Sequence, residues 1–422
     1  MKPLPLANIR VLEIAEGYAG PFAAALLGDL GAEVIKIEAV QRMDQTRGQV
    51  KPRTGTEYPR GEPGPHPWNI CKPFVRGNRN KLSLTLDLAT PRGIELFLSL
   101  VAVSDVVLTN MVTGVPEKLG IAYDELRKVR PDIVYLSSCG FGATGPYARF
   151  VAMAGSMDAI SGHTWLRNYE GDDPTTTAYN AHTDAVNALT SAFGVTTAIY
   201  RRAATGQGQH VDVSGCEALM PHLGEAIMNY TMNGRVHTSI GDASPTLAPH
   251  NVYPTQGADQ WVAIAVRNDA EWKTLVEAMD SPEWTRESRF ATAVGRLHHR
   301  KELDQHIAEW TRSQDKRELM ARLQAVGIPA TAVFSNKDSV LDEHVRERGF
   351  FESITHPDMG EMELPGIPWK MSETPGNIRL PPPTLGQHND YLYREVLGLS
   401  EADIARLEEQ QITGTVPLDR LV

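Results

Sequence analysis

Asp184 stands where a polar run, residues 163–182, gives way to the apolar pattern of NAHTDAVNALTSAFG. A carboxylate at such a junction caps a helix or faces its dipole, and the other reading is a nucleophile. Spacing alone favours the cap. The run GFGATG, Gly140 to Gly145, matches a dinucleotide pattern after a strand and points to a nicotinamide-dependent oxidoreductase. Pro146 follows it, however, and that fingerprint belongs to the first strand-helix turn, where this chain has only Gly17 and Gly20. A tight turn is the plainer reading. The AGP run, 19–21, starts a helix whose free N–H groups suit an anion, although every such helix start offers as much. His298 and His299 form no H-E-x-x-H or H-x-H set, no G-x-S-x-G elbow occurs, and Cys71, Cys139 and Cys216 are odd in number and far apart. No metal site is expected, and the thiols read as packing groups.

The elements that must position these residues alternate. Ile9 to Ile14, a helix through Leu26, Leu27 and Leu30 that stops at Gly31, and Glu33 to Glu38 form one strand-helix-strand unit. A second series follows: Leu82 to Leu86, a helix near 91–101, Asp105 to Thr109, a helix near 123–128 and Ile133 to Leu136. The helix at 184–202 ends at TGQGQ and leads into His210 to Val213. Strands alternating with helices predict an α/β fold with a mostly parallel sheet and ligands beyond the strands' carboxyl ends. A Pro- and Gly-rich stretch, 49–67, reads as a surface loop, and 233–249 as a mobile one. From Asn251 the texture changes to short strands and amphipathic helices. The expected division is 1–205 for the first part of a large domain and 206–248 for a linker helix and loop. Residues 249–328 then form a small α+β domain, and 329–422 return to the large one.

The 422 residues carry 41 Lys and Arg against 52 Asp and Glu, a net charge of −11, so no global positive field draws in nucleic acid or anionic lipid. Hydrophobic content of 41% is that of a soluble globular chain. Asn8, Arg10, Glu13 and Glu16 interrupt any signal-peptide core, and Asp105 breaks the apolar stretch 96–111. No membrane span and a cytoplasmic location are expected.

Taken in order, PLANIRVLEIAEGYAGPFAAALLGDLGAEVIKIE, NRNKLSLTLDLATPRG, SSCGFGATGPY, RRAATGQGQHVDVS, GIPATAV and TLGQHNDYLYREVLGLS make the chain resemble class III CoA-transferases. This is the family of formyl-CoA and carnitine CoA-transferases, and the likeness covers nearly the whole length. It implies a Rossmann-like large domain built from both termini, a small middle domain and an interlocked, ring-like homodimer, with room for a heteromeric partner subunit. It also implies that Asp184, placed before the Thr205 to Gln209 turn, is the catalytic aspartate. The substrates implied are an acyl-CoA thioester and a small organic acid, with no permanently bound cofactor.

On this likeness coenzyme A contacts fall to Gly17, Tyr18, Ala19, Lys36, Arg42, Arg47, Leu86, Asn110, Met111 and Lys118, and a loop with Gly241, Asp242 and Ser244 covers the site. Two departures stand out: Ala39 replaces a basic residue often found after the second strand, and Met111, Val112 and Thr113 replace Phe-Arg-Pro after Asn110. The same family holds α-methylacyl-CoA racemases, whose histidine and glutamate positions are here Met153 and about Asn268, neither able to move an α-proton. The loop GDASPTLAP lacks the glycine run of formyl-CoA transferases. APHNVYP and EWKTL resemble the branch with aromatic succinate and carnitine transferases, which implies a succinyl-CoA donor.

Overall fold

The computed structural model of the chain describes residues 2–52, 55–177 and 182–418; residues 53–54 of the expected surface loop and 178–181 of the polar run before Asp184 lie outside the described residues. The chain divides into two compact units, one of Met1–His163, Ala178–Met228 and Glu347–Val422, the other of Thr164–Thr177 and Asn229–Arg346.

The first unit is built on a six-stranded sheet of β1 (Arg10–Ile14), β2 (Glu33–Glu38), β3 (Lys81–Thr85), β4 (Val106–Thr109), β5 (Val134–Cys139) and β6 (Gln209–Ser214). Its order is β3-β2-β1-β4-β5-β6, and all five pairings are parallel. The order reverses direction between β1 and β4, the switch point at whose carboxyl ends sheets of this kind bind ligands. β6 lies in the stretch 206–248 expected to be a linker, and it serves as the sheet's edge.

Side chains alternate between the two faces. Val11, Val34, Val106, Leu108, Val134 and Leu136 pack against α1 (Ala19–Asp29) and the longer helix His182–Thr205. Leu12, Ile35, Ile37, Val107 and Tyr135 face the helices Pro91–Ala102, Tyr123–Val129 and, from the carboxyl-terminal part, Glu401–Glu409. Full burial of a leucine such as Leu26 or Leu27 contributes about 1.5–3 kcal/mol, more than the propensity lost at Gly20 and Gly28 in α1. Both glycines stand where a side chain has no room: a Cβ on Gly20 would lie 2.6 Å from Ala15 Cβ, and one on Gly28 2.7 Å from the Asn80 carbonyl oxygen.

The NRNK segment binds the two chain ends into this unit. Asn80 Nδ2 donates to Asp29 at 2.7 Å and to the Asn377 carbonyl at 2.9 Å, and its Oδ1 accepts from the backbone N–H of Arg379 and Leu380. Along edge strand β3, the N–H of Ser83 donates to His388 Nδ1 and that of Thr85 to Asn389 Oδ1, so LGQHN covers an edge that would otherwise be exposed.

The second unit holds a three-stranded antiparallel sheet of His250–Pro254, Trp261–Ala265 and Ala330–Ala332, with a core around Trp272, Leu275, Phe290, Leu303 and Leu319. The third strand was expected to lie in the return to the large domain, beyond 328. It pairs with Trp261–Ala265 because Ala330 and Ala332 bury their side chains there, and the smaller unit runs on to Arg346.

Candidate active site

The turn between β1 and α1 is clamped on every side. Asn110, just after β4, pairs with both backbone polar groups of Glu16: its Oδ1 accepts from the Glu16 N–H at 3.0 Å, and its Nδ2 donates to the Glu16 carbonyl at 2.7 Å. Asp44 Oδ1 accepts from the Gly17 N–H at 3.1 Å, and Lys36 Nζ donates to the Ala15 carbonyl at 2.8 Å. Gly17 has φ +80°, a left-handed conformation that favours glycine. The clamps leave the N–H groups of Tyr18, Ala19 and Gly20 without an acceptor among the described residues, at the positive end of an 11-residue helix.

Beneath the turn lies a buried ion network. Lys36 Nζ is 3.0 Å from Glu13 and 2.9 Å from Asp44, Lys81 Nζ is 2.7 Å from Glu13, and Arg47 bonds Glu38 through two nitrogens at 2.8 Å each. Burial works against the Lys36 charge, but Asp44, Glu13 and Glu38 outweigh it and raise its pKa. Burial wins at Lys81, where the pKa falls to about 8. Arg47 further donates to the Trp68 and Pro383 carbonyls and stacks 3.7 Å from the centre of the Phe74 ring.

Lys36 and Arg47, expected at the coenzyme, thus have their donors engaged inside the protein, and they support the turn from below. Leu86 is a core side chain just after β3. Arg42 is exposed and bridges Glu16 at 3.2 Å, while Lys118 is exposed on the short helix Val115–Leu119. Met111 lines a cavity of about 350 Å³ with Thr113, Tyr123, Tyr135, Cys139 and His210. Gly241 and Asp242 line a separate cavity of about 510 Å³ with His250, Asn251 and Ala330 inside the smaller unit. Ser244 Oγ accepts from the N–H groups of Thr246 and Leu247 in the same loop.

Asp184 lies in the first turn of His182–Thr205. Its carboxylate is half-buried and accepts no hydrogen bond from any described residue, so it does not cap the helix. Burial raises its pKa above the usual aspartate value; the Arg76 guanidinium pulls it down and Asp158 pushes it up. The helix is fixed in register by polar contacts one and two turns on: Ser138 Oγ donates to Asn187 Oδ1 at 3.2 Å and Ser191 Oγ to Ser138 Oγ at 3.1 Å. Thr183 Oγ1 bonds Asp158 beside it. Tyr18 shares the electrostatic environment of Asp184, and its ring stacks on Phe22 at 5.2 Å. Tyr18 of the first turn thus lies within electrostatic reach of Asp184.

Sequence reasoning missed Arg76, which lies 4.0 Å over the Tyr18 ring, and Asp44. The D-x-x-R spacing of Asp44 and Arg47 was a usable signal for the second; nothing in the local sequence marked Arg76. At GFGATG no helix opens after Gly145; the next begins at Ala154. A Cβ on Gly140 would stand 2.2 Å from Ala152 Cβ, and Ala143 N–H donates to Asp212, so this is a close-packed turn without a dinucleotide-binding helix. Asn268 caps the helix Asp269–Ala278 with its Oδ1.

A parallel sheet with a point of strand reversal, and a half-buried carboxylate that has no hydrogen-bond donor among the described residues, define an α/β fold with a candidate site at the carboxyl ends of its strands. The model of CoA-transferase family III matches residues 6–389, and the chain belongs to that family. It is 33% identical over 412 residues to succinyl-CoA--D-citramalate CoA-transferase of Chloroflexus aurantiacus, covering 97% of this chain and 98% of the relative. It is also 33% identical to the alpha subunit of succinyl-CoA--L-malate CoA-transferase of Chloroflexus aurantiacus, covering 97% and 92%. Among solved structures, a CAIB/BAIF family protein from Brucella suis superposes with a TM-score of 0.82 at 29% identity, over 94% of this chain and 100% of the other. The protein is an enzyme of the class III CoA-transferase type, acting on CoA thioesters.

Proposed function

We propose that the enzyme moves CoA from succinyl-CoA to a second small organic acid, with Asp184 as the nucleophile. The observation that carries this reading is the half-buried Asp184 carboxylate with no hydrogen-bond donor among the described residues. A carboxylate without donors keeps its lone pairs for attack, and its raised pKa makes it a stronger base than a solvated one.

Asp184 attacks the thioester carbonyl, giving an acyl-aspartyl anhydride and CoA thiolate. The thiolate attacks the aspartyl carbonyl, releasing the first acid and leaving an aspartyl-CoA thioester. The acceptor carboxylate then attacks that thioester, and the returning thiolate takes the acceptor's acyl group and frees Asp184. Each tetrahedral oxyanion needs donors, and the N–H groups of Tyr18, Ala19 and Gly20 supply them at the start of α1. Gly17 does not, because Asp44 holds its N–H.

Ala19 and Asn110 shape the crevice where the coenzyme enters, with Arg42, Met111 and Lys118 as outer contacts, while Lys36, Arg47 and Leu86 act from beneath. Water must be kept from the anhydride, which it would hydrolyse. The succinyl donor is supported by the relatives, whose names carry succinyl-CoA. The same reading makes the working enzyme an interlocked homodimer, and the alpha-subunit relative favours a test for a second chain as well. A mass-spectrometric screen of acyl-CoA and acid pairs tests the reading. Succinyl-CoA should be consumed in step with a new acyl-CoA, and Asp184→Ala should form none; product formation by that variant rejects the assignment.

A further inference from the structure

Arg76 sits on the short helix Lys72–Gly77, its guanidinium carbon 4.0 Å from the centre of the Tyr18 ring. The buried cations around the first turn have carboxylate partners: Lys36 has Glu13 and Asp44, Lys81 has Glu13, Arg47 has Glu38 and Arg79 has Asp29. Arg76 has none among the described residues, and its side chain is exposed. A guanidinium oriented by stacking on an aromatic ring keeps its planar fork of N–H donors for a ligand. Arg76 and Tyr18 both lie within electrostatic reach of Asp184.

A dicarboxylic acid at this site carries a second anion that the Asp184 carboxylate repels, and a planar carboxylate is what an arginine fork bonds bidentately. We propose that Arg76 binds the remote carboxylate of a dicarboxylic acyl group while its near carboxyl reacts at Asp184, so that Arg76 selects dicarboxylic over monocarboxylic substrates. This inference rests on the transfer reading above. No bond to Arg76 is made or broken; it orients the acyl chain and offsets its charge.

The test uses exchange of labelled succinate into succinyl-CoA and of labelled butyrate into butyryl-CoA, which needs no knowledge of the natural acceptor. In Arg76→Gln the ratio of kcat/KM for succinyl over butyryl exchange should fall by about 10- to 100-fold, mostly through KM, with Arg76→Lys recovering part of the loss. An unchanged ratio overturns the proposal. So does an equal loss with both acids, which would mean that Arg76 serves the coenzyme or the fold. Calorimetry with succinate and butyrate separates this from a failure of the transfer reading. Succinate binding weakened by a similar factor in Arg76→Gln supports Arg76 even if no exchange occurs in the unaltered protein, whereas unchanged succinate binding rejects it.

Discussion

At the level of single residues, the raised pKa of Asp184 links activity to stability with opposite signs. A carboxyl that holds its proton more tightly when folded than when unfolded favours the fold while protonated, and this contribution is lost as pH rises through the folded pKa. At neutral pH the ionised form therefore strains the fold. Asp184→Asn should abolish transfer and leave the melting temperature equal or higher, as thermal denaturation would show; a clear loss of stability would mean that Asp184 is a cap after all. The acid limb of kcat/KM should lie above the ordinary aspartate pKa. In Arg76→Gln it should move to still higher pH, because the cation that pulls the Asp184 pKa down is gone. In the sequence only family resemblance gives Asp184 a catalytic role, since its polar-to-apolar junction looks like many caps. Arg76 could not be placed at all, because its partner ring belongs to the distant Tyr18 and the contact exists only once two turns have packed.

At the level of elements, the β1–α1 turn depends on a side chain from a different turn. Asp44 accepts from Gly17, Thr46 and Lys36, and burial, which raises its pKa, is outweighed by Lys36 and those hydrogen bonds, so its pKa is lowered. Its contribution is present above the unfolded aspartate pKa and is lost as pH falls through the folded value; that of Lys36, with a raised pKa, is lost as pH rises through its own. Asp44→Ala leaves Lys36 buried with one fewer partner and should cost about 3–5 kcal/mol in urea unfolding. An effect under about 1 kcal/mol, the level of an exposed pair, would contradict the network's importance. Between α1 and the Asp184 helix, Ala23, Ala24, Ala188 and Ala192 allow close packing. Ala188→Leu should cost about 1–3 kcal/mol and lower kcat as Asp184 shifts; unchanged kcat would show that the helix is not what positions the carboxylate. The sheet was legible because its buried strands are short apolar runs between turns. The role of Lys36 was not: in EVIKIE it shares a face with Val34, beneath α1, and strand alternation alone does not reveal that Asp44 and Glu13 meet it there.

At the level of the whole molecule, both terminal parts of the chain build the unit with the parallel sheet, as the NRNK and LGQHN contacts show, and that unit also holds the antiparallel pair Phe351–His356 and Gly360–Pro365, while a separate unit carries the three-stranded antiparallel sheet. Its end at Arg346 was hidden from the sequence because a three-residue strand after a Gly-Ile-Pro run looks like a connector until its partner strand is known. None of the described helices is long and apolar enough to cross a membrane. The Asp184 helix leaves Leu189, Phe193 and Tyr200 exposed at spacings of one and two turns, with Phe193 at 74% and Tyr200 at 80%, a stripe that a monomer would leave in water. Sedimentation should therefore show a dimer, and Phe193→Glu with Tyr200→Glu should weaken it; a monomer that is fully active would set the dimer aside.

The central claim is that Asp184 becomes covalently bonded to the acyl group and then to CoA. Incubation with succinyl-CoA followed by hydroxylamine, with peptide mass spectrometry, tests it directly. The account predicts a hydroxamate on Asp184 that depends on substrate and is absent from Asp184→Asn. A hydroxamate on another residue, or exchange of acyl groups with Asp184 left unmodified throughout, would contradict it.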